Sequence, residues 1–110
     1  MVIMNLNILK GKKHIHFIGI GGSGMYPLAQ ILHSWGYYLT GSDNNETETL
    51  EAVRKLGIPV MLGQRAENIA GADLIVHTAA IMADNPELIA AKASGVPVLE
   101  RSARHRHLQV

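Results

Sequence analysis

A glycine-rich segment with the spacing of a phosphate-binding loop lies near the start of the chain. Gly19, Gly21 and Gly24 follow the pattern G-x-G-x-x-G, directly after the apolar run 14–18. The first glycine permits a tight turn, the second lets a phosphate approach the backbone, and the third allows a helix to pack closely on a strand. The start of that helix then favours an anion. The segment predicts a diphosphate site, with a purely structural turn as the alternative.

Other residues of the loop and one acidic residue extend this candidate site. Gly22, Ser23 and Met25 belong to the predicted diphosphate contacts, and the Ser23 hydroxyl can donate to phosphate, cap the helix or do both. Asp43 follows Gly24 by about 20 residues, where dinucleotide-binding folds place an acidic residue on the ribose. The alternative is a turn aspartate that caps its own loop.

Three small residues lie where the predicted strands end. Ser42 precedes Asp43 and is predicted to lie near the ribose or the base. Thr78 and Ala79 end the fourth predicted strand and face the same edge as the glycine-rich loop, where small side chains leave room for a ligand. An ordinary exit from strand to loop is the alternative for these two.

The sequence offers no evident catalytic or metal-binding set. The histidines are His14, His16, His33, His77, His105 and His107. His14 and His16 point to one side of the first strand, but no histidine pair has the i, i+4 spacing of a helical metal site. The ATP-binding loop G-x-x-x-x-G-K-[ST] and the nucleophile motif G-x-S-x-G do not occur. We therefore expect a binding site without a metal and without catalytic residues.

Composition fits one ordinary globular domain. The chain has 110 residues, 47% hydrophobic and 17% charged, with a net charge of +1 and no cysteine. This charge gives no reason to expect a nucleic-acid partner, and the lack of cysteine excludes disulfides. No apolar run is long enough to span a membrane. Residues 1–8 lack the features of a signal peptide and are interpreted as a leader strand or ordered tail, so the expected location is the cytoplasm.

Strand and helix patterns alternate along the chain. Strands are predicted at 14–18, 38–42, 60–62, 74–78 and 96–99, and helices at 23–34, 46–55 and 86–93, with one helical turn at 66–69. Asn45 is the predicted cap of the second helix, and Asn85 with Pro86 begins the third. The alternation predicts a Rossmann-like, three-layer α/β/α domain with a mostly parallel five-stranded sheet and a ligand outside the carboxyl ends of its strands.

Four ordered segments resemble the Mur ligase family. They are 14–25, 41–43, 71–76 and 80–87, and the similarity extends over about residues 13–101. The resemblance implies a domain that binds the UDP part of UDP-N-acetylmuramate for peptidoglycan assembly, with the diphosphate on 21–25 and the uridine near Ser42 and Asp43. It places ATP and Mg²⁺ in a central domain beyond Val110, with no cofactor here. The chain alone is then expected to bind the nucleotide sugar and to catalyse nothing.

The family pattern does not hold at every position. Gly63 and Gln64 stand where the family usually has Gly-His, and 102–107 match poorly, so the domain is assigned to 1–100 and 101–110 is interpreted as a basic tail or truncated linker. Two other functions fit the glycine-rich loop. One is an NAD(P)- or flavin-binding oxidoreductase domain, with Asp43 on an adenosine ribose, and the other is a nucleotide-sensing regulatory module. The oligomeric state does not follow from the sequence.

Overall fold

The computed structural model describes residues 6–22 and 24–101 and confirms the predicted order of elements. The strands are β1 His14–Ile18, β2 Tyr38–Asp43, β3 Val60–Leu62, β4 Leu74–Thr78 and β5 Val98–Arg101. The α-helices are α1 Met25–Ser34, α2 Glu48–Lys55 and α3 Pro86–Ser94, and short 3₁₀ helices span Leu6–Leu9 and Ala66–Ile69.

The strands form one sheet in the order β3-β2-β1-β4-β5, and every described pairing is parallel. In β1, Ile15 is paired with Leu39 of β2 on one side and with Leu74 of β4 on the other. The chain therefore builds outwards from β1 in one direction and from β4 in the other. The change of direction opens a crevice at the carboxyl ends of β1 and β4, which is where ligands bind in such sheets.

Two hydrophobic cores confirm the three-layer arrangement. Between the sheet and the pair α1 and α2 lie Ile15, Phe17, Leu28, Leu32, Leu39, Leu50 and Val53. Against α3 lie Ile18, Ile75, Leu88 and Ala91. Alternate residues of β1 thus serve opposite faces, as expected for a strand covered by helices on both sides.

The helix starts agree with the sequence at α3 and differ at α2. The side-chain oxygen Oδ1 of Asn85 accepts from the amides of Glu87 and Leu88 at 2.9 and 3.3 Å, which confirms the predicted cap. In α2 the predicted Asn45 cap is wrong, because Thr47 Oγ1 accepts from the amide of Leu50 at 3.3 Å. Asn45 instead belongs to the preceding turn.

Element ends shift by a few residues at two further places. Helix α1 begins at Met25 rather than at position 23, since Gly24 has φ 79° and lies outside helical geometry. Strand β5 covers 98–101 rather than 96–99. Arg101, predicted to start the tail, is the last residue of this strand, and 102–110 lie outside the described residues.

The predicted leader at the N-terminus is only partly described. Residues Leu6–Leu9 form a 3₁₀ helix rather than a strand, and 1–5 lie outside the described residues. Among the helices that the structure describes, none has both the length and the apolar character needed to cross a membrane.

Candidate functional site

The glycine-rich loop is held on the end of β2 by its own amides. The amides of Gly19 and Ile20 donate to the Ser42 carbonyl oxygen at 2.8 and 2.9 Å, and the amide of Gly21 donates to Asp43 Oδ2 at 3.0 Å. The amide of Gly22 returns to the carbonyl of Gly19 at 2.9 Å. The first part of the loop is therefore fixed by the protein itself. At the start of α1 the amide of Met25 also donates, to the Gly22 carbonyl at 3.1 Å, and Pro27 has no N–H. Backbone donors for a ligand must therefore come from the few remaining amides where the loop meets α1.

The second glycine has a structural requirement of its own. A Cβ at Gly21 would lie 3.0 Å from Asp43 Oδ2 and 3.1 Å from Leu50 Cδ2. A larger residue there would press on α2 as well as on the loop. A Gly21→Val variant would therefore disturb packing and ligand binding together, and it is a poor test of the diphosphate site.

The third glycine has φ 79°, a conformation that favours glycine, and it lies against the end of an arginine side chain. A Cβ at Gly24 would lie 2.6 Å from Arg101 Nη1, and this nitrogen donates to the Gly24 carbonyl at 2.8 Å. The predicted reason for this glycine, close packing of helix on strand, is therefore wrong. Close packing occurs instead at Gly41, where a Cβ would lie 2.6 Å from Ile20 Cδ1.

Arg101 places a positive charge beside the loop. Within the described residues the ion pairs are His16–Glu87 and Arg54–Glu46, so Arg101 has no carboxylate partner there. All Asp and Glu residues of the chain lie in the described ranges. A guanidinium that no acidic side chain neutralises favours an anion, and it can bind phosphate oxygens through two donors at once.

Asp43 has the structural role that its alternative interpretation predicted. Its Oδ1 accepts from the amide of Asn45 at 3.1 Å, which caps the turn after β2, while Oδ2 holds the glycine-rich loop. The carboxylate is only partly buried. It thus lies at the edge where the glycine-rich loop and β2 meet, and its contact with a ribose stays a prediction.

The other predicted residues differ in how their side chains are placed. The Ser42 side chain is fully buried, and its hydroxyl donates to Glu87 Oε1 at 2.7 Å. The hydroxyl is therefore used in a hydrogen bond inside the protein. The Met25 side chain is also fully buried, which leaves only its backbone near the loop. Thr78 Oγ1 accepts from the amide of Ala80 at 3.3 Å, and Ala79 is exposed. Ser23 lies outside the described residues.

The connection after β4 reaches the glycine-rich loop. Ile81 Cδ1 lies 3.1 Å from the position of a Cβ on Gly19. The structure thus brings the loop, Asp43 and the residues that follow Thr78 to one edge of the sheet. Whether Ser42, Thr78 and Ala79 contact a ligand stays a prediction.

An open cleft of about 370 Å³ lies beside this edge. It is lined by Asn44, Gln64, Ala80, Ile81, Met82, Asp84, Asn85 and Pro86. Gln64 Oε1 accepts from Asn85 Nδ2 at 2.6 Å and from Asn44 Nδ2 at 3.1 Å. We call these three residues the amide cluster. Sequence reasoning missed it. The available signal was that Asn44 and Gln64 follow the carboxyl ends of β2 and β3 by one and two residues, while Asn85 ends the connection after β4.

A buried carboxylate lies behind the cleft. Glu87 is fully buried, and its Oε1 accepts from His16 Nε2 at 2.8 Å. Its Oε2 accepts from Asn68 Nδ2 at 2.6 Å and from the amide of Arg65 at 3.2 Å. Burial alone would raise the pKa of Glu87, but the hydrogen bonds from His16, Asn68 and Ser42 hold it below its usual value. In the sequence, Glu87 falls within the predicted third helix and the resembling segment 80–87, and neither assigns it a partner.

The hydrogen-bonded chain continues from this carboxylate to the opposite end of β1. His16 Nδ1 lies 2.8 Å from Thr40 Oγ1, and His14 Nε2 lies 2.7 Å from the same hydroxyl. The prediction that both histidines share one side of β1 is confirmed. Burial lowers the pKa of His14. In the described part of the chain, no group of three or more His, Asp or Glu residues could hold a metal ion.

The sheet order and the loop at its crevice define a Rossmann-like α/β domain, and comparisons with known proteins give its family. The model of the Mur ligase family, catalytic domain, matches residues 14–108. UDP-N-acetylmuramate–L-alanine ligase of Legionella pneumophila is 48% identical over 91 residues, 83% of this chain and 19% of that protein. The chain belongs to the Mur ligase family.

Solved structures agree with this assignment. UDP-N-acetylmuramate-alanine ligase from Thermotoga maritima superposes with a TM-score of 0.77 and 42% identity, over 82% of this chain and 21% of that one. A UDP-N-acetylmuramate:L-alanyl-gamma-D-glutamyl-meso-diaminopimelate ligase from Neisseria meningitides has a TM-score of 0.73 and 30% identity, over 84% and 29%. The chain spans about a fifth of the length of the curated relatives it matches. The comparisons do not favour an oxidoreductase domain.

Proposed function

We propose that this chain is the domain of a UDP-N-acetylmuramate–L-alanine ligase that holds the UDP part of UDP-N-acetylmuramate. The observation that carries the proposal is the glycine-rich loop at the crevice of the sheet, with the Arg101 guanidinium bonded to its last carbonyl at 2.8 Å. The names of the relatives supply the substrate, and the arrangement of charge and donors in this chain suits its diphosphate.

The diphosphate would lie at the end of the glycine-rich loop. The amides of Gly19 to Gly22 and of Met25 are used within the protein, and Pro27 has no N–H. The ligand would therefore bind to the remaining amides where the loop meets α1, at the end of the helix that favours negative charge. The Arg101 guanidinium, bonded to the Gly24 carbonyl, would add a positive charge at the same end of the loop. The exposed Gly22 leaves this part of the loop open to solvent.

The uridine would extend towards the cleft. Asp43 lies between the loop and the amide cluster, where its carboxylate can accept from ribose hydroxyls. Uracil presents two carbonyl acceptors and one N–H donor. The side chains of Asn44, Gln64 and Asn85 carry both donors and acceptors, and they line the cleft. The side-chain amide of Gln64 would thus take the place that the histidine of the Gly-His pair has in other members of the family.

Catalysis would need parts outside this chain. In this proposal ATP and Mg²⁺ bind to a separate domain, where ATP activates the carboxylate of the substrate for attack by the amine of the amino acid. The residues described here would hold and orient the nucleotide part of the substrate in the cytoplasm. We expect the isolated chain to bind ligand and to be inactive as a ligase.

Calorimetric titration with UDP-N-acetylmuramate, and with NAD⁺ in parallel, tests the proposal. We expect the UDP-sugar to bind selectively. Selective binding of NAD⁺ would contradict the proposal, and so would a chain that binds neither compound. Light scattering with and without UDP tests the remaining alternative, a nucleotide-sensing regulatory module. Assembly that depends on the nucleotide would favour that module.

A further inference from the structure

The two oxygens of Glu87 hold two different parts of the molecule. Oε1 accepts from His16 of β1 and Ser42 of β2, so it is fixed to the sheet. Oε2 accepts from the side chain of Asn68 and the backbone amide of Arg65, both in the connection between β3 and β4. This fully buried carboxylate therefore fastens the connection to the sheet.

The fastened segment carries Gln64. Asn68 Nδ2 donates to the Gly63 carbonyl at 3.0 Å as well as to Glu87, so the residues on both sides of Gln64 are held. Gly63 has φ 99°, a left-handed backbone conformation that favours glycine, and the position of the Gln64 side chain depends on how its neighbours are fixed.

The start of α3 holds Gln64 from the other side. Asn85 Oδ1 caps α3 by accepting from the amide of Glu87, and its Nδ2 donates to Gln64 Oε1 at 2.6 Å. The same helix start favours the negative charge of Glu87. Glu87 and Asn85 therefore fix both the backbone and the side chain that place Gln64 in the cleft.

We propose that Glu87 is a positioning residue that sets the geometry of the amide cluster and thereby the preference of the site for one nucleobase. It does this without touching the ligand, because it is fully buried behind the cleft. The inference rests on the proposed function in one respect, namely that the cleft receives the base. A merely structural Glu87 would change stability and leave base preference unaltered.

The test compares two measurements: the ratio of UDP affinity to ADP affinity, and the affinity for pyrophosphate alone. Glu87→Gln keeps the size of the side chain but replaces one acceptor oxygen with an NH₂ group, which cannot accept from the donors on that side. We expect the ratio of UDP affinity to ADP affinity to fall about tenfold, the effect of roughly one hydrogen bond. Affinity for pyrophosphate should be unchanged. Glu100→Gln, on the exposed side of β5, is the matched control.

A second variant tests the connection without altering the sheet side of the network. Asn68→Ala removes the bonds to Glu87 and to the Gly63 carbonyl, while His16 and Ser42 keep theirs. It should reduce the UDP to ADP ratio in the same direction and speed amide hydrogen exchange at Arg65. If Glu87→Gln does not fold, this variant decides the question.

Unchanged UDP to ADP ratios in both variants would overturn the inference, whether or not amide exchange at Arg65 changes, because Glu87 would then be merely structural. A wild-type chain that binds UDP no better than ADP would instead contradict the proposed use of the cleft. The positioning of the connection by Glu87 would still be measured in that case, since the exchange rate of the Arg65 amide is read in the protein without any ligand.

Discussion

Arg101 Nη1 lies 2.8 Å from the carbonyl oxygen of Gly24, so the last residue of β5 is bonded to the residue that caps α1. Its neighbouring strand β4 separates β5 from β1 in the sheet, yet the long side chain reaches the loop that follows β1. This contact joins the edge of the sheet to the candidate diphosphate site.

Loss of the Arg101 charge should weaken nucleotide binding. We expect Arg101→Met to reduce UDP affinity by about 1.5–3 kcal/mol, the range for hydrogen bonds to charged groups, and to lower its dependence on salt. Titrations at two salt concentrations measure both effects. Lys92→Met, in the last turn of α3, is the control. Equal affinity in the wild-type and Arg101→Met chains would remove Arg101 from the site.

Asp43 should contribute to UDP binding in two ways, by contact with the ribose and by holding the glycine-rich loop. Asp43→Ala should cost about 1–3 kcal/mol of UDP binding. Because Asp43 also accepts from the amide of Gly21, part of this loss could come from the loop. Comparing UDP with pyrophosphate separates the two, since only UDP carries a ribose. A loss of the same size for both ligands would argue against a ribose contact.

Gly41 should tolerate no side chain at all. A Cβ there would lie 2.6 to 2.7 Å from three atoms of Ile20, and we expect Gly41→Ala to lower the free energy of unfolding by about 1–3 kcal/mol, as overpacking does. Urea denaturation measures this. In a double variant with Ile20→Gly the two losses should not add, because this change removes all three clashing atoms, including the Cβ of Ile20 at 2.7 Å that alanine would keep. Additive losses would show that the contact is not the cause.

Acid should destabilise the domain in two steps. Burial holds the pKa of His14 below its ordinary 6.5, so the unfolded chain takes up a proton first as the pH falls through this value, and stability decreases. The pKa of Glu87 is held below its ordinary 4.5, so its stabilising contribution is complete above that pH and is lost as the pH falls through the lowered value.

Urea denaturation between pH 7.5 and pH 3.5 measures both steps. His14→Gln should remove the upper step, and Glu87→Gln should remove the lower one. A stability profile that is flat across this range in the wild-type chain would contradict both assignments.

Local signals predicted most of the fold. Asn85 followed by Pro86 marks a helix start through residues adjacent in sequence, and the structure has that cap. At α2 two polar residues, Asn45 and Thr47, could each cap the helix. The amide of Asn45 is bonded to Asp43 in the preceding turn, and Thr47 is the cap. Competition of this kind decides element ends, and the sequence does not reveal its outcome.

The interior of the candidate site was less predictable. His16 and Glu87 are far apart in the chain, and no sequence motif indicates that the two side chains are in contact. The amide cluster likewise draws on three separate connections. Such groups follow from the sheet register and from how α3 lies on the sheet, and both are tertiary properties.

The central place of β1 also sets the order in which the chain can fold. Ile15 has one neighbour in Leu39 and the other in Leu74, so synthesis through β3 leaves one edge of β1 unpaired until β4 is made. Contacts between residues so distant in sequence form slowly. On the ribosome, the incomplete sheet would expose the β1 edge, and chaperones would have most opportunity to bind the nascent chain during that interval.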